Sequence, residues 1–167
     1  ITFTGKIENK TGYGRFEFTA DESYRTALTQ QGISPADDNL LLQCFLAEFP
    51  SNYVAAVQKL DLGQIDREKL EQLAVFRLDE QAIKKYHELA ASIGQKSVSF
   101  DELIQMKVSN VTKETAESLA KSGLKNLDLE ALTQLSLHGV NAKYIAELKA
   151  QGLDKLTSEE ILSAKIH

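Results

Sequence analysis

Apolar residues recur along the chain at a spacing too long for one helix and too regular for isolated surface positions. Leu41, Leu70, Leu103, Leu132 and Ile161 stand 29, 33, 29 and 29 residues apart. Periods of this length mark stacked supersecondary units. Three residues after each anchor come Cys44, Leu73, Met106, Leu135 and Ala164; five after come Leu46, Val75, Val108, Leu137 and Ile166. Eight after come Phe49, Leu78, Val111 and Val140, then Tyr53, Ala82, Thr115 and Tyr144, then Val57, Tyr86, Leu119 and Leu148. Offsets of three, five and then four read as a helical stripe, a turn and a second helical stripe.

Polar positions keep the same register. Four residues before the anchors stand Asp37, Asp66, Ser99, Asp128 and Thr157, each with a side-chain oxygen able to accept a first-turn backbone N–H. Ser99 with Glu102, and Thr157 with Glu160, complete capping boxes. Nine residues after the anchors stand Asp79, Thr112 and Asn141, with Pro50 and Ser51 as a shifted start in the first full unit. Gly32, Gly123 and Gly152 fall where a helix should end in a left-handed residue.

The opening segment has a different period. Ile1, Phe3 and Ile7 alternate with Thr2, Thr4 and Lys6, and Phe16 and Phe18 alternate with Arg15, Glu17 and Thr19. The intervening Asn9-Lys10-Thr11-Gly12 is turn chemistry, so a β-hairpin is expected. A two-stranded hairpin is marginal alone. Its apolar face is therefore expected to lie against the first helices as a terminal cap, the alternative being a free edge that pairs with another strand. Thr19 and Glu22 read as a capping box for a helix over about 20–31.

The expected fold is mainly α: an N-terminal β-hairpin followed by an α-solenoid-like stack of two-helix repeats of about 29 residues. Residues 1–19 form the hairpin cap and 20–167 the helical repeats. Within the latter, 20–33 is a half unit, 36–61, 66–94, 99–125 and 128–154 are full units, and 158–167 is a truncated one. The 33-residue step places four extra residues around Ile93-Gly94-Gln95-Lys96, as a longer second helix or loop or as a kink shaping a binding face. Helices of about ten residues are marginal in isolation, so neighbouring units must support one another.

Composition changes this picture little. A 167-residue chain that is 43% hydrophobic can hold one continuous core. The net charge of −5 argues against nucleic acid or anionic membrane as principal partner. No apolar run reaches 18 residues, so no direct membrane insertion is expected. The chain opens at Ile1 in a strand-like pattern and closes at His167 halfway through a unit, so both ends read as cuts, and no signal peptide is recognised. Cys44, the single cysteine, lies on an apolar stripe and reads as a small buried residue.

Candidate chemistry is sparse. His138 and His167 hold equivalent places and His87 stands alone, without companions at metal-ligand spacing. Nucleophile-elbow, P-loop, zincin and dinucleotide motifs do not occur. Gly12-Tyr13-Gly14 sits beside the hairpin and reads as turn chemistry. The carboxylates map to caps and exposed helix faces. His138-Gly139-Val140-Asn141 is somewhat similar to a helix–hairpin–helix DNA module, but Asn141 replaces its second glycine, and Glu48, Arg77 and Asn110 replace the first elsewhere. Tyr53, Tyr86 and Tyr144 fall on helical stripes, which suits core packing with the hydroxyl at the edge. No catalytic, cofactor-binding or metal-binding residue is assigned.

Two segments carry a resemblance. Phe3-Thr4-Gly5 with Gly12-Tyr13-Gly14-Arg15-Phe16-Glu17-Phe18-Thr19, followed by the repeat through Leu135-Ser136-Leu137-His138-Gly139-Val140-Asn141 to Leu153, resembles the hairpin and helical-repeat regions of uncharacterised bacterial proteins. Some of those are exported; others are attached to membrane metallopeptidases similar to β-lactam-sensing antirepressors. The resemblance implies an extracytoplasmic accessory region without established activity, and the peptidase zinc motif does not occur in this chain. The resulting expectation is a non-enzymatic repeat scaffold that binds a protein or peptide. The alternatives are a ligand-sensing or regulatory domain of a larger membrane-associated protein, or a structural spacer.

Overall fold

In the computed structural model, residues 1–122, 124, 127–153 and 155–167 are described. The chain is mainly helical behind an N-terminal antiparallel hairpin. Strands β1 (Thr2–Glu8) and β2 (Thr11–Glu17) pair with Phe3 opposite Phe16, Gly5 opposite Gly14 and Ile7 opposite Gly12. The turn is tighter than expected: Asn9 and Lys10 alone form it, at φ +50° and +65°, and Thr11 and Gly12 already belong to β2. Positive φ at both central residues is what a two-residue hairpin turn matching the strand twist demands. Gly5 and Gly14 act through close approach rather than turning. A Cβ on Gly14 would stand 2.4 Å from the Thr4 carbonyl oxygen and 2.8 Å from the Phe3 ring. The expected resting place for the apolar face is not found along the strands, since every residue of both is exposed. One residue beyond β2, Phe18 meets Phe45 at a centroid distance of 6.1 Å.

Ten α-helices follow among the described residues: α1 (Glu22–Gln30), α2 (Asp38–Leu46), α3 (Tyr53–Val57), α4 (Arg67–Val75), α5 (Glu80–Ser92), α6 (Phe100–Val108), α7 (Lys113–Lys121), α8 (Leu129–Leu137), α9 (Ala142–Ala150) and α10 (Ser158–Ile166). A short 3₁₀ turn over Gln58–Leu60 continues α3. Asp37, Asp66, Ser99, Asp128 and Thr157 each accept a first-turn amide, and both expected capping boxes form. Thr112 and Asn141 cap α7 and α9 in the same way. One cap differs. Asp21, not Thr19, starts α1, its carboxylate accepting the Ser23 and Tyr24 amides and the Ser23 hydroxyl. An ionised acceptor at the positive end of the helix dipole satisfies more donors than a threonine hydroxyl can. The four extra residues of the 33-residue step lengthen the second helix, giving α5 thirteen residues where α7 and α9 have nine.

The first helix of each full unit ends in the same six-residue turn. The amide of Phe49 donates to the Cys44 carbonyl at 3.0 Å, Leu78 to Leu73 at 2.9 Å, Val111 to Met106 at 3.0 Å and Val140 to Leu135 at 2.8 Å. The residue before each donor is left-handed: Glu48, Arg77, Asn110 and Gly139, at φ +61°, +49°, +49° and +66°. This is the Schellman geometry, and only the last repeat supplies the glycine that adopts it without strain. Gly32 and Gly152 close second helices as expected, at φ +89° and +87°; Gly123 lies outside the described residues.

The chain divides into two compact units, Ile1–Val57 with Gln64–Asp79, and Gln58–Gly63 with Glu80–His167. In the first, α2 packs on α4 and buries Leu41, Cys44, Leu70 and Leu73. Arg67 at the start of α4 ties the two helix entrances together, donating to the Asp37 carboxylate and the Pro35 carbonyl at 2.7 Å each. The guanidinium, ahead of the Leu40 amide, holds the Asp37 carboxyl below the ordinary carboxylate value. Two tyrosines link second helices to the turn of the following repeat: the Tyr24 hydroxyl donates to the Phe49 carbonyl at 3.0 Å, and the buried Tyr53 hydroxyl donates to the Leu78 carbonyl. In the second unit α6 packs on α8 and α8 on α10, while α5 packs on α7 and α7 on α9. Leu103, Met106, Leu132, Leu135 and Ile161 are buried there, whereas Ala164, expected on the same stripe, is exposed.

Removing the Tyr53 hydroxyl leaves the Leu78 carbonyl without that donor. Tyr53→Phe is expected to cost about 1–2 kcal/mol in urea unfolding, and Tyr24→Phe, whose bond is only part-buried, to cost less. Equal and negligible losses would mean that neither bond holds adjacent repeats together.

Candidate binding surfaces

Two features stand out among the described residues. The first is a cavity of about 750 Å³ in the first compact unit. Its walls are Ile1, Phe18, Tyr24, Leu41, Phe45, Leu46 and Phe49, with Thr19, Asp21, Glu48 and Arg77 supplying polar groups. Local folding places each of them. The hairpin delivers Ile1 and Phe18, the outer face of α2 delivers Phe45 and Leu46, and the turns after α2 and α4 deliver Glu48 and Arg77. Both charged residues occupy left-handed backbone positions, where an L side chain costs roughly 1–2 kcal/mol. The Asp21 carboxyl is held below its usual range by the Ser23 hydroxyl and by the Tyr24 and Ser23 amides. Burial drives the Tyr24 hydroxyl well above its ordinary value, and its proton is already donated to Phe49. Burial also pushes the neighbouring Cys44 thiol up to about 11, so it is a packing residue rather than a nucleophile. The cavity is thus an apolar slot with one cation and two carboxylates at its edge.

The second feature is an exposed column repeated on every first helix. Leu46, Val75, Val108, Leu137 and Ile166, expected on the buried stripe, are all 53–66% exposed. Helix geometry supplies the reason. At about 100° per residue, an offset of three returns to the anchor's side, whereas an offset of five lies about 140° away. Three residues before each aliphatic stand Gln43, Gln72, Gln105, Gln134 and Ser163; seven before stand Asn39, Glu68, Asp101, Glu130 and Glu159. Positions i, i+4 and i+7 share one face, so each first helix presents a carboxylate or amide, then a glutamine or serine, then an aliphatic. In the second unit all nine of these side chains are exposed. The glutamine row was legible as anchor plus two in four consecutive repeats, but a search for apolar stripes passes over it.

The other candidates separate. His138 and His167 are exposed at the C-terminal ends of α8 and α10, and the buried His87 Nε2 has no hydrogen-bond partner. Among the described residues no group of three or more His, Cys, Asp or Glu side chains could hold a metal ion, and no helix is long and apolar enough to cross a membrane. Tyr53 is buried with its hydroxyl satisfied and Tyr86 is half-buried, while Tyr144 lies beneath the Lys165 ammonium at 4.4 Å. Comparison with protein-family models, curated proteins and solved structures finds no match.

The contrast between offsets three and five is directly measurable. Leu135→Ala should cost about 2–5 kcal/mol, whereas Leu137→Ser, two residues along the same helix, should shift stability by less than about 0.5 kcal/mol. Comparable losses in chemical denaturation would place Leu137 in the core and abolish the exposed column.

Proposed function

We propose that the chain is a non-enzymatic helical-repeat scaffold that binds a protein or peptide, its two-helix units of about 29 residues stacked in the manner of an α-solenoid. Packing of first helices on first helices and of second helices on second helices in the second unit supports the stacking. The observation that carries the binding role is the exposed aliphatic in every repeat. Folding does not require it, because the neighbouring buried positions and the turn already satisfy each helix. Single surface aliphatics are ordinary; the same one in five successive units is a pattern that a spacer has no use for. The resemblance of the hairpin and the repeats, strongest over 127–167, favours an extracytoplasmic setting.

A second reading, a ligand-sensing or regulatory domain of a larger membrane-associated protein, is favoured by the cavity of about 750 Å³ beside the hairpin, a size suited to small ligands. It requires a thermal shift with a small molecule that Phe45→Arg abolishes.

Selection of a displayed random-peptide library on the immobilised full chain separates the scaffold from a spacer. The scaffold enriches sequences that bind the folded chain and not the urea-unfolded chain. Failure to enrich any sequence over repeated rounds would overturn it.

A further inference from the structure

The repeated column in the second compact unit combines charged, hydrogen-bonding and apolar groups in one order on each helix. Asp101, Glu130 and Glu159 form its acidic members, Gln105, Gln134 and Ser163 its neutral polar members, and Val108, Leu137 and Ile166 its aliphatic members, all exposed. None of the three carboxylates forms an ion pair among the described residues. The acid and the aliphatic lie seven residues apart, about 10 Å along the helix axis, with the amide or hydroxyl between them.

We propose that this face of α6, α8 and α10 binds an extended, polyproline-like polypeptide segment crossing the helices, one tripeptide per repeat, with an aliphatic and a basic residue in each. The inference rests on the scaffold reading above and names its partner. Three arguments converge on it. First, packed helices stand about 8–10 Å apart, and three residues of polyproline II advance about 9.3 Å. A two-residue β period of about 6.6 Å falls out of step with the helices. Second, polyproline II has three residues per turn, so every third side chain points the same way. One row can then meet Val108, Leu137 and Ile166, the next can meet Asp101, Glu130 and Glu159, and the third faces solvent. Third, a glutamine amide carries both donors and an acceptor, which match a peptide unit whose backbone polyproline II leaves unpaired. The row of carboxylates selects lysine or arginine over acidic residues by charge complementarity.

The test uses the full chain and a fluorescein-labelled peptide of four Leu-Lys-Pro triplets, read by anisotropy at low and moderate salt. Expected is saturable binding, at least about tenfold tighter than to a peptide of identical composition in scrambled order, weakening as salt rises. Leu137→Glu should weaken it at least tenfold with an unchanged thermal melt, because the side chain is exposed. Glu130→Lys should weaken it as well and should improve binding of a Leu-Glu-Pro peptide. Equal binding of the ordered and scrambled peptides, or affinity untouched by both substitutions, would overturn the proposal. Failure here is distinguishable from failure of the scaffold reading: library-selected binders indifferent to Leu137→Glu and Glu130→Lys would sink this surface and leave the scaffold standing.

Discussion

The turn that closes the first helix of each full unit is the constraint from which the rest of the structure follows. Phe49, Leu78, Val111 and Val140 each do two things at this point: the amide closes the six-residue loop backward, and the side chain is buried. For Phe49 and Leu78 the carbonyl does a third, accepting the tyrosine hydroxyl of the preceding repeat. One residue thereby fixes the exit from the first helix, the start of the second and the register against a neighbour. The backbone strain at Glu48, Arg77 and Asn110 is consistent with that importance. A left-handed residue is retained there because a relaxed one would release the buried side chain and open the loop.

This constraint also divides each first helix into a face that folding needs and a face that it leaves free. In α2, α4, α6 and α8 the anchor and the residue three later are committed to the core, and the cap and the turn fix the two ends. What remains in the second unit is an outward column of a carboxylate, a glutamine or serine and an aliphatic, whose composition stability does not dictate. A surface that repeats without a folding reason is where function can be written into a repeat protein. The cavity beside the hairpin arises differently, from a single junction of strand, helix and turn.

Much of the architecture was legible in the sequence because two independent signals shared one register. Asp37, Asp66, Ser99, Asp128 and Thr157 start helices that bury Leu41, Leu70, Leu103, Leu132 and Ile161. Where a single signal stood alone, the reading slipped. Thr19 and Glu22 match a capping-box pattern, yet Asp21 offers a stronger acceptor two residues on. Asn9-Lys10-Thr11-Gly12 has turn composition throughout, but strand pairing continues through Thr11 and Gly12 to leave a two-residue loop. Leu137 is apolar and in register, yet angular position, which hydrophobicity alone does not encode, puts it on the surface. The candidate site was therefore hidden inside the pattern that revealed the fold.

Mutual support between neighbouring helix pairs is most directly tested by amide hydrogen exchange on Leu132→Ala, a truncation at the buried centre of α8. Support carried through the packed first helices predicts that protection falls in α6 and α10 together with α8. Loss confined to residues 129–137, with the neighbours exchanging as in the parent chain, would contradict it.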